Sequence, residues 1–128
     1  LSRYNHLMLA DVADVYAKAR VAFGKTLIKA GKLTEAKEEF TRAVALGGDT
    51  QTSDAYTYAG LTELFLGNCG PALDAFVQAR ATSVVPDTSI QLFESVTYRD
   101  CVGDASRAAQ LLQEFELQQR ESETPLPK

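Results

Sequence analysis

The pattern of apolar and polar positions along the chain is that of amphipathic helices. It is clearest over residues 104–120, where apolar residues share one helical face and polar residues share the other. The apolar face carries Ala105, Ala108, Leu111, Leu112 and Phe115, and the polar face carries Gln113, Glu114, Gln118 and Arg120. Asp104 stands where an N-cap residue would begin this helix. Strand-like residues cluster only at Ser83-Val84-Val85, which lies beside Pro86 and is predicted to be a connector.

The helical pattern repeats at a spacing of 36 residues. Glycines fall in register at Gly31, Gly67 and Gly103, each between two apolar helical stretches. Glycine readily takes the left-handed conformation that ends a helix, so each predicts a tight turn between two helices. After each glycine come a small alanine and, four residues later, a large apolar group that is predicted to fill the hairpin. These pairs are Ala36 with Phe40, Ala72 with Phe76, and Ala108 with Leu112.

The sequence therefore predicts an all-α fold of antiparallel helical hairpins stacked as an α-α superhelix. The predicted repeats span residues 17–52, 53–88 and 89–120, and the polar back of the last helix is expected to cap the stack. Residues 1–16 are predicted to form a leading helix, either an extension of the first hairpin or the remnant of an earlier repeat. Residues 121–128 are mostly polar, contain two prolines and are predicted to be a disordered tail.

These repeats resemble the tetratricopeptide repeat, whose second helix carries alanine, an aromatic residue and alanine at fixed spacing. That motif is present as Ala36, Phe40 and Ala43 and as Ala72, Phe76 and Ala79. The first helices match at Phe23, Gly24 and Leu27 and at Tyr56, Ala59 and Gly60, while the third unit keeps Leu92, Ala108 and Leu112. The period exceeds the family's usual value of about 34, and Arg20, Glu63 and Arg99 occupy positions that are usually apolar. The resemblance covers residues 17 to 120 and is that of a divergent member.

The resemblance implies a protein-interaction scaffold or adaptor, not an enzyme, that binds a partner peptide or helix in a concave groove. The first helix of each hairpin is expected to line that groove. The candidate residues are Lys18, Val21, Lys25, Ile28, Lys29, Thr57, Tyr58, Leu61, Leu64, Phe65, Phe93 and Thr97, with Ile90 on the same stripe. Lysines at one end and apolar groups beyond them predict a partner with an acidic group and bulky apolar anchors. The alternative is that the apolar groups only pack against neighbouring helices and the lysines are solvated.

Some family members bind the C-terminal carboxylate of heat-shock chaperones through a clamp of Lys, Asn and Arg residues. The matching positions here read Val21, Lys25, Tyr58, Ile90 and Glu94, so the clamp is missing and a chaperone-tail adaptor is disfavoured.

Two rival functions follow from other features of the chain. One is RNA binding by a pentatricopeptide-like helical repeat, because Thr57-Tyr58 resembles part of that family's first helix. A net charge of −4 and a pI near 5.0 count against nucleic acid as a partner. The other is a regulatory or structural lobe of a larger protein, and the start at Leu1 without a signal peptide indicates a processed product or fragment.

No residue cluster predicts catalysis, a metal or a cofactor. His6 is the single histidine and is expected to be exposed. Cys69 and Cys101 lack the spacing of metal ligands and are expected to be reduced, partly buried thiols, and the cytoplasm is the favoured location. No apolar run is long enough to span a bilayer, so a membrane partner is not expected.

Carboxylate pairs are the remaining candidates for acid and base chemistry. Asp11 with Asp14, and Glu38 with Glu39, are predicted to be solvated helix charges, because nothing near them in sequence indicates a pocket.

Overall fold

The computed structural model describes residues 2–47, 51–84 and 89–123, with side chains described for residues 12–47, 51–84 and 89–121. The elements are α1 (Ser2–Lys29), α2 (Leu33–Leu46), α3 (Thr52–Phe65), α4 (Cys69–Thr82), α5 (Ser89–Val96), a π-helix (Thr97–Val102) and α6 (Ala105–Glu123). No strand occurs in these three ranges. The predicted all-α fold class is confirmed.

Tight turns join the helices into three antiparallel pairs, α1 with α2, α3 with α4, and α5 with α6. The predicted turn residues Gly31, Gly67 and Gly103 have φ values of +77°, +82° and +83°. This left-handed conformation lets the next amide reach back to the helix, and the N–H of Lys32 donates to the carbonyl of Leu27 at 2.9 Å. The predicted turns are therefore confirmed.

A phenylalanine fills each of the first two hairpins. Phe40 and Phe76 are fully buried, and each ring lies against a glycine of the opposing helix. A Cβ atom built on Gly24 would lie 2.5 Å from Cε1 of Phe40, and one on Gly60 would lie 2.6 Å from Cε1 of Phe76. The glycines recur 36 residues apart because the ring leaves no room for a side chain at this crossing.

The third hairpin departs from the predicted packing. Leu112, the counterpart of Phe40 and Phe76, is 41% exposed, and Leu111 is buried instead. The two phenylalanines are covered by the hairpin that follows each of them, whereas no described hairpin follows α6. The prediction of Leu112 as a core residue is therefore wrong.

The other predictions for α6 hold in part. The backbone N–H of Arg107 donates to Oδ1 of Asp104 at 3.0 Å, which confirms the predicted N-cap. On the predicted inner face Ala108 is buried, Phe115 is half-buried and Ala105 is exposed. The helix runs to Glu123, beyond its predicted end, and the rest of the predicted tail lies outside the described residues.

The π-helix takes up one extra residue in the third hairpin. Ile90 and Thr97 are fully buried, as are Ala55 and Thr62, which lie 35 residues earlier in α3. The turn glycines are nevertheless 36 residues apart, so one residue must be added between Thr97 and Gly103. A π-helix is the usual way for a helix to absorb such an insertion.

A disulfide joins the second and third hairpins, so the expectation of reduced thiols is wrong. Cys69 is the first residue of α4 and Cys101 lies in the last turn of the π-helix, with their Cα atoms 5.6 Å apart. The stacking of hairpins brings the two residues together, which their separation of 32 positions does not indicate.

The leading segment continues without a break into the first helix of the first hairpin. Together they form α1, which has 28 residues, whereas α2 has 14. The side chains of His6 and Asp11 lie outside the described residues. Among the described helices, none has the length and apolar character needed to cross a membrane.

Candidate functional site

The basic end of the candidate groove lies on α1. Lys18 and Lys29 are exposed, and Lys25 is half-buried with its Nζ atom 4.4 Å from the centroid of the Tyr58 ring. A cation at this distance from an aromatic face is attracted to it. Lys25 and Tyr58 therefore form one surface across the first and second hairpins.

The apolar part of the groove lies on α3 and α5. Leu61 and Leu64 are half-buried and pack against the cluster around Phe76. The ring of Phe93 contacts the ring of Phe76 in a tilted arrangement, with centroids 5.9 Å apart. Phe65 differs from them, because it is 58% exposed at the end of α3. Phe65 is therefore the largest apolar group that this surface offers to a partner.

Ile28 and Tyr58, like Leu61 and Leu64, are partly packed against the core and partly open to solvent. Both are half-buried and pack against the cluster around Phe40, with the Tyr58 and Phe40 centroids 5.9 Å apart. They stabilise the stack and keep part of their surface open.

Four predicted stripe residues are buried and cannot contact a partner in this arrangement. Thr57 and Thr97 donate their hydroxyls to the carbonyls of Ser53 and Phe93, at 2.9 and 2.7 Å. The prediction that these two threonines line the groove is therefore wrong. It is also wrong for Val21, which belongs to the cluster around Phe40, and for Ile90, which packs with Phe76.

The extra residue of the third hairpin explains part of this error. Alignment at 36 residues places Thr97 on the groove, whereas in α5 the structural spacing is 35. At that spacing Val96 is the counterpart of Leu61, and Val96 is 36% exposed. Only the buried pairs on α3 and α5 reveal the shift, so the sequence repeat could not have identified Val96.

One solved structure similar to this chain is described as the second TPR of Spaghetti (RPAP3) bound to the HSP90 peptide SRMEEVD. The two share 20% sequence identity over 80% of this chain and 91% of that chain, with a TM-score of 0.69. This chain has the tetratricopeptide repeat fold. That is the fold which the alanine and aromatic spacing predicts. No protein-family model and no curated protein sequence matches this chain.

In this tetratricopeptide repeat fold, Glu39 forms ion pairs with two arginines of the first hairpin. Its side chain is 6% exposed, with Oε2 at 3.0 Å from Nη1 of Arg20 and Oε1 at 2.6 Å from Nη1 of Arg42. The prediction of Glu39 as a solvated charge is therefore wrong, whereas Glu38 is exposed. The ion pair also explains Arg20, because an arginine can replace the usual apolar group where a buried carboxylate accepts it.

Glu63 is the second charged residue at a usually apolar position. It is buried between the first two hairpins, with Oε1 at 2.7 Å from Nζ of Lys37 and Oε2 accepting a hydrogen bond from Nδ2 of Asn68 at 2.9 Å. These contacts satisfy both carboxylate oxygens, and they tie α3 to α2 and to the turn before α4.

Glu94 occupies the joint between the second and third hairpins. Glu94 is 3% exposed, and this burial raises its pKa. The positive charges of Arg80 and Arg107 lower the pKa in part, and the negative charge of Glu114 raises it. Nε of Arg80 lies 2.9 Å from Oε1, an atom that has no aligned hydrogen-bond donor. Of the positions that match a carboxylate clamp, Val21, Ile90 and Glu94 are thus all buried.

Replacing Glu94 with glutamine is expected to reduce the pH dependence of stability. Because burial raises the pKa of Glu94 above its ordinary value of 4.5, the folded protein binds this proton more tightly than the unfolded chain does. The free energy of unfolding from this group therefore falls as the pH rises above 4.5 and through the folded pKa. Urea unfolding at several pH values from 4.5 to neutral measures this fall. Exposed Glu38→Gln is the control, and identical pH profiles for wild type and Glu94→Gln would contradict the assignment.

The described side chains offer no site for a metal. No group of three or more His, Cys, Asp or Glu residues among them could hold an ion.

Proposed function

We propose that this chain is a non-catalytic interaction scaffold that binds a peptide or a helix along the surface of α1, α3 and α5. The observation that carries the proposal is the contact of Lys25 with Tyr58 across the first two hairpins, with Lys18 exposed on α1 and Phe65 exposed at the end of α3. The similar structure is described as bound to a peptide, which supports a peptide as the kind of ligand.

The chemistry of this surface favours a partner with an acidic group beside bulky apolar residues. The acidic group would meet Lys18 and Lys29, which are both exposed, and an apolar anchor would cover Phe65. Each anchor buried in this way contributes about 1.5 to 3 kcal/mol. A terminal carboxylate is disfavoured as the partner group, because Lys25 is the one cation among the five clamp positions, and Val21, Ile90 and Glu94 are buried.

Replacing Phe65 with glutamate is expected to weaken partner binding roughly 10- to 150-fold, the loss of one apolar anchor. Partners are captured from a lysate with the wild-type chain, identified, and titrated as labelled peptides by fluorescence anisotropy. Val77→Glu is the matched control, because Val77 is 48% exposed and lies on α4, which is not one of the three helices of the proposed surface.

Two results would contradict the proposal. If Phe65→Glu unfolds the chain, that residue belongs to the core and the groove is misplaced. If the chain binds single-stranded RNA tightly in low-salt filter binding, with affinity falling steeply as salt rises, it is an RNA-binding repeat and not a protein scaffold.

A further inference from the structure

The two joints between hairpins differ in how closely they bring the helices together. At the first joint α3 packs along α2 and also contacts α1. The second joint is less extensive, because α5 and the π-helix meet the second hairpin mainly through α4. Ile90 and Phe93 pack there on the cluster around Phe76, near the start of α5. Packing alone therefore holds the third hairpin on the stack less firmly than it holds the second.

The buried glutamates of the two joints also differ. At the first joint both carboxylate oxygens of Glu63 have partners, Nζ of Lys37 and Nδ2 of Asn68. At the second joint Oε1 of Glu94 lies near Nε of Arg80 but has no aligned hydrogen-bond donor. A buried carboxylate with incomplete hydrogen bonding offsets less of the hydration that it loses. Glu94 therefore contributes less to the second joint than Glu63 contributes to the first.

The disulfide is the covalent link across the second joint, and its sulfur atoms lie near the surface. Cys69 and Cys101 are both half-buried. Their Sγ atoms each lie 3.8 Å from the carbonyl oxygen of Gly67, which belongs to an exposed turn. A thiol in solution can therefore reach the bridge while both hairpins stay folded.

Thiol–disulfide exchange with a dithiol opens a bridge of this kind. One thiolate of the dithiol attacks a sulfur atom, the S–S bond breaks, and its electron pair leaves on the other cysteine, which takes up a proton. The second thiolate then attacks the mixed disulfide and releases the remaining cysteine as a thiol. The dithiol is oxidised to a disulfide, and its two electrons and two protons end on Cys69 and Cys101.

We infer that the disulfide is a redox switch for the groove. In the oxidised chain the bridge holds the third hairpin on α4. Reduction by a dithiol releases the third hairpin, while the first two hairpins stay folded. Phe93 and Val96 then leave the proposed surface with α5, whereas Phe65 remains on α3, so a partner that spans α3 and α5 dissociates. This last step rests on the proposed function, but the release of the hairpin does not.

Limited proteolysis of the full chain tests the release of the third hairpin. The chain is reduced with dithiothreitol without denaturant, its thiols are blocked with iodoacetamide, and trypsin is added once the reagents are removed. Cleavage after Arg99 and Arg107 in the third hairpin is expected to be roughly 100-fold faster than in the oxidised chain, the effect of removing the bridge. Cleavage after Arg42 in the first hairpin is expected to be unchanged. Unalkylated Cys69→Ser/Cys101→Ser is the control for the blocking groups, and it is expected to be cleaved like the reduced wild type.

Labelled peptides captured with the oxidised chain are then titrated against both redox states. Their affinity is expected to fall roughly 10-fold or more on reduction, the loss of one apolar anchor. Equal affinity in the two states would overturn the switch. An oxidised chain that captures no peptide counts against the proposed function, and the proteolysis then still decides the release of the hairpin.

Three outcomes of the proteolysis would overturn the inference. If cleavage after Arg107 is equally fast in both states, the bridge does not hold the hairpin in place. If cleavage after Arg42 speeds up to the same extent, reduction unfolds the whole stack and the bridge is a staple of the fold. If a thiol assay shows that the dithiol reduces the bridge only in denaturant, the sulfur atoms are not accessible in the folded chain.

Discussion

Replacing Phe76 with alanine is expected to lower the free energy of unfolding by about 3 to 5 kcal/mol. The ring is fully buried, lies against Gly60 within its own hairpin and contacts the ring of Phe93 in the next hairpin. It therefore contributes to the hairpin core and to a joint, and alanine would leave a cavity shared by both. Urea unfolding followed by circular dichroism measures the loss.

Phe65→Ala is the matched control for Phe76→Ala. It removes the same side chain from a site that is 58% exposed, where a substitution typically changes stability by about 0.5 kcal/mol. Similar losses for the two variants would show that the repeat does not depend on this ring, and would contradict the assignment of Phe76 to the core.

Removing the disulfide between Cys69 and Cys101 is expected to destabilise the chain by about 3 to 4 kcal/mol. This is the loop-entropy value for a bridge that spans 32 residues. The loss is expected to appear first in the third hairpin, because α5 packs against α4 less extensively than α3 packs against α2. Amide hydrogen exchange with and without a reductant measures which hairpin loses protection.

The double variant Cys69→Ser/Cys101→Ser is the control for the reductant. Its unfolding is expected to be unchanged by reductant, and its stability is expected to equal that of the reduced wild type. A thiol assay that finds two free cysteines before reduction would contradict the bridge.

Part of the candidate site could be predicted from the sequence, but its boundary could not. The lysines of α1 and Phe65 are exposed as expected, whereas Val21 and Thr57 share their stripe and are buried. Helical spacing places residues on a common face, but it does not show where the neighbouring hairpin covers that face. The buried Glu39 was missed for the same reason, since Arg20 reaches it from another helix.

What the sequence by itself determined is the order of helices, their turns and the two aromatic hairpin cores. These depend on local signals: a glycine that must take a positive φ at Gly31 or Gly67, and a ring and glycine at fixed spacing in each hairpin. The tertiary structure alone decided the disulfide, the π-helix and the open faces of the stack. Each of these depends on how one hairpin lies against the next, and contacts between hairpins have no fixed spacing in the sequence.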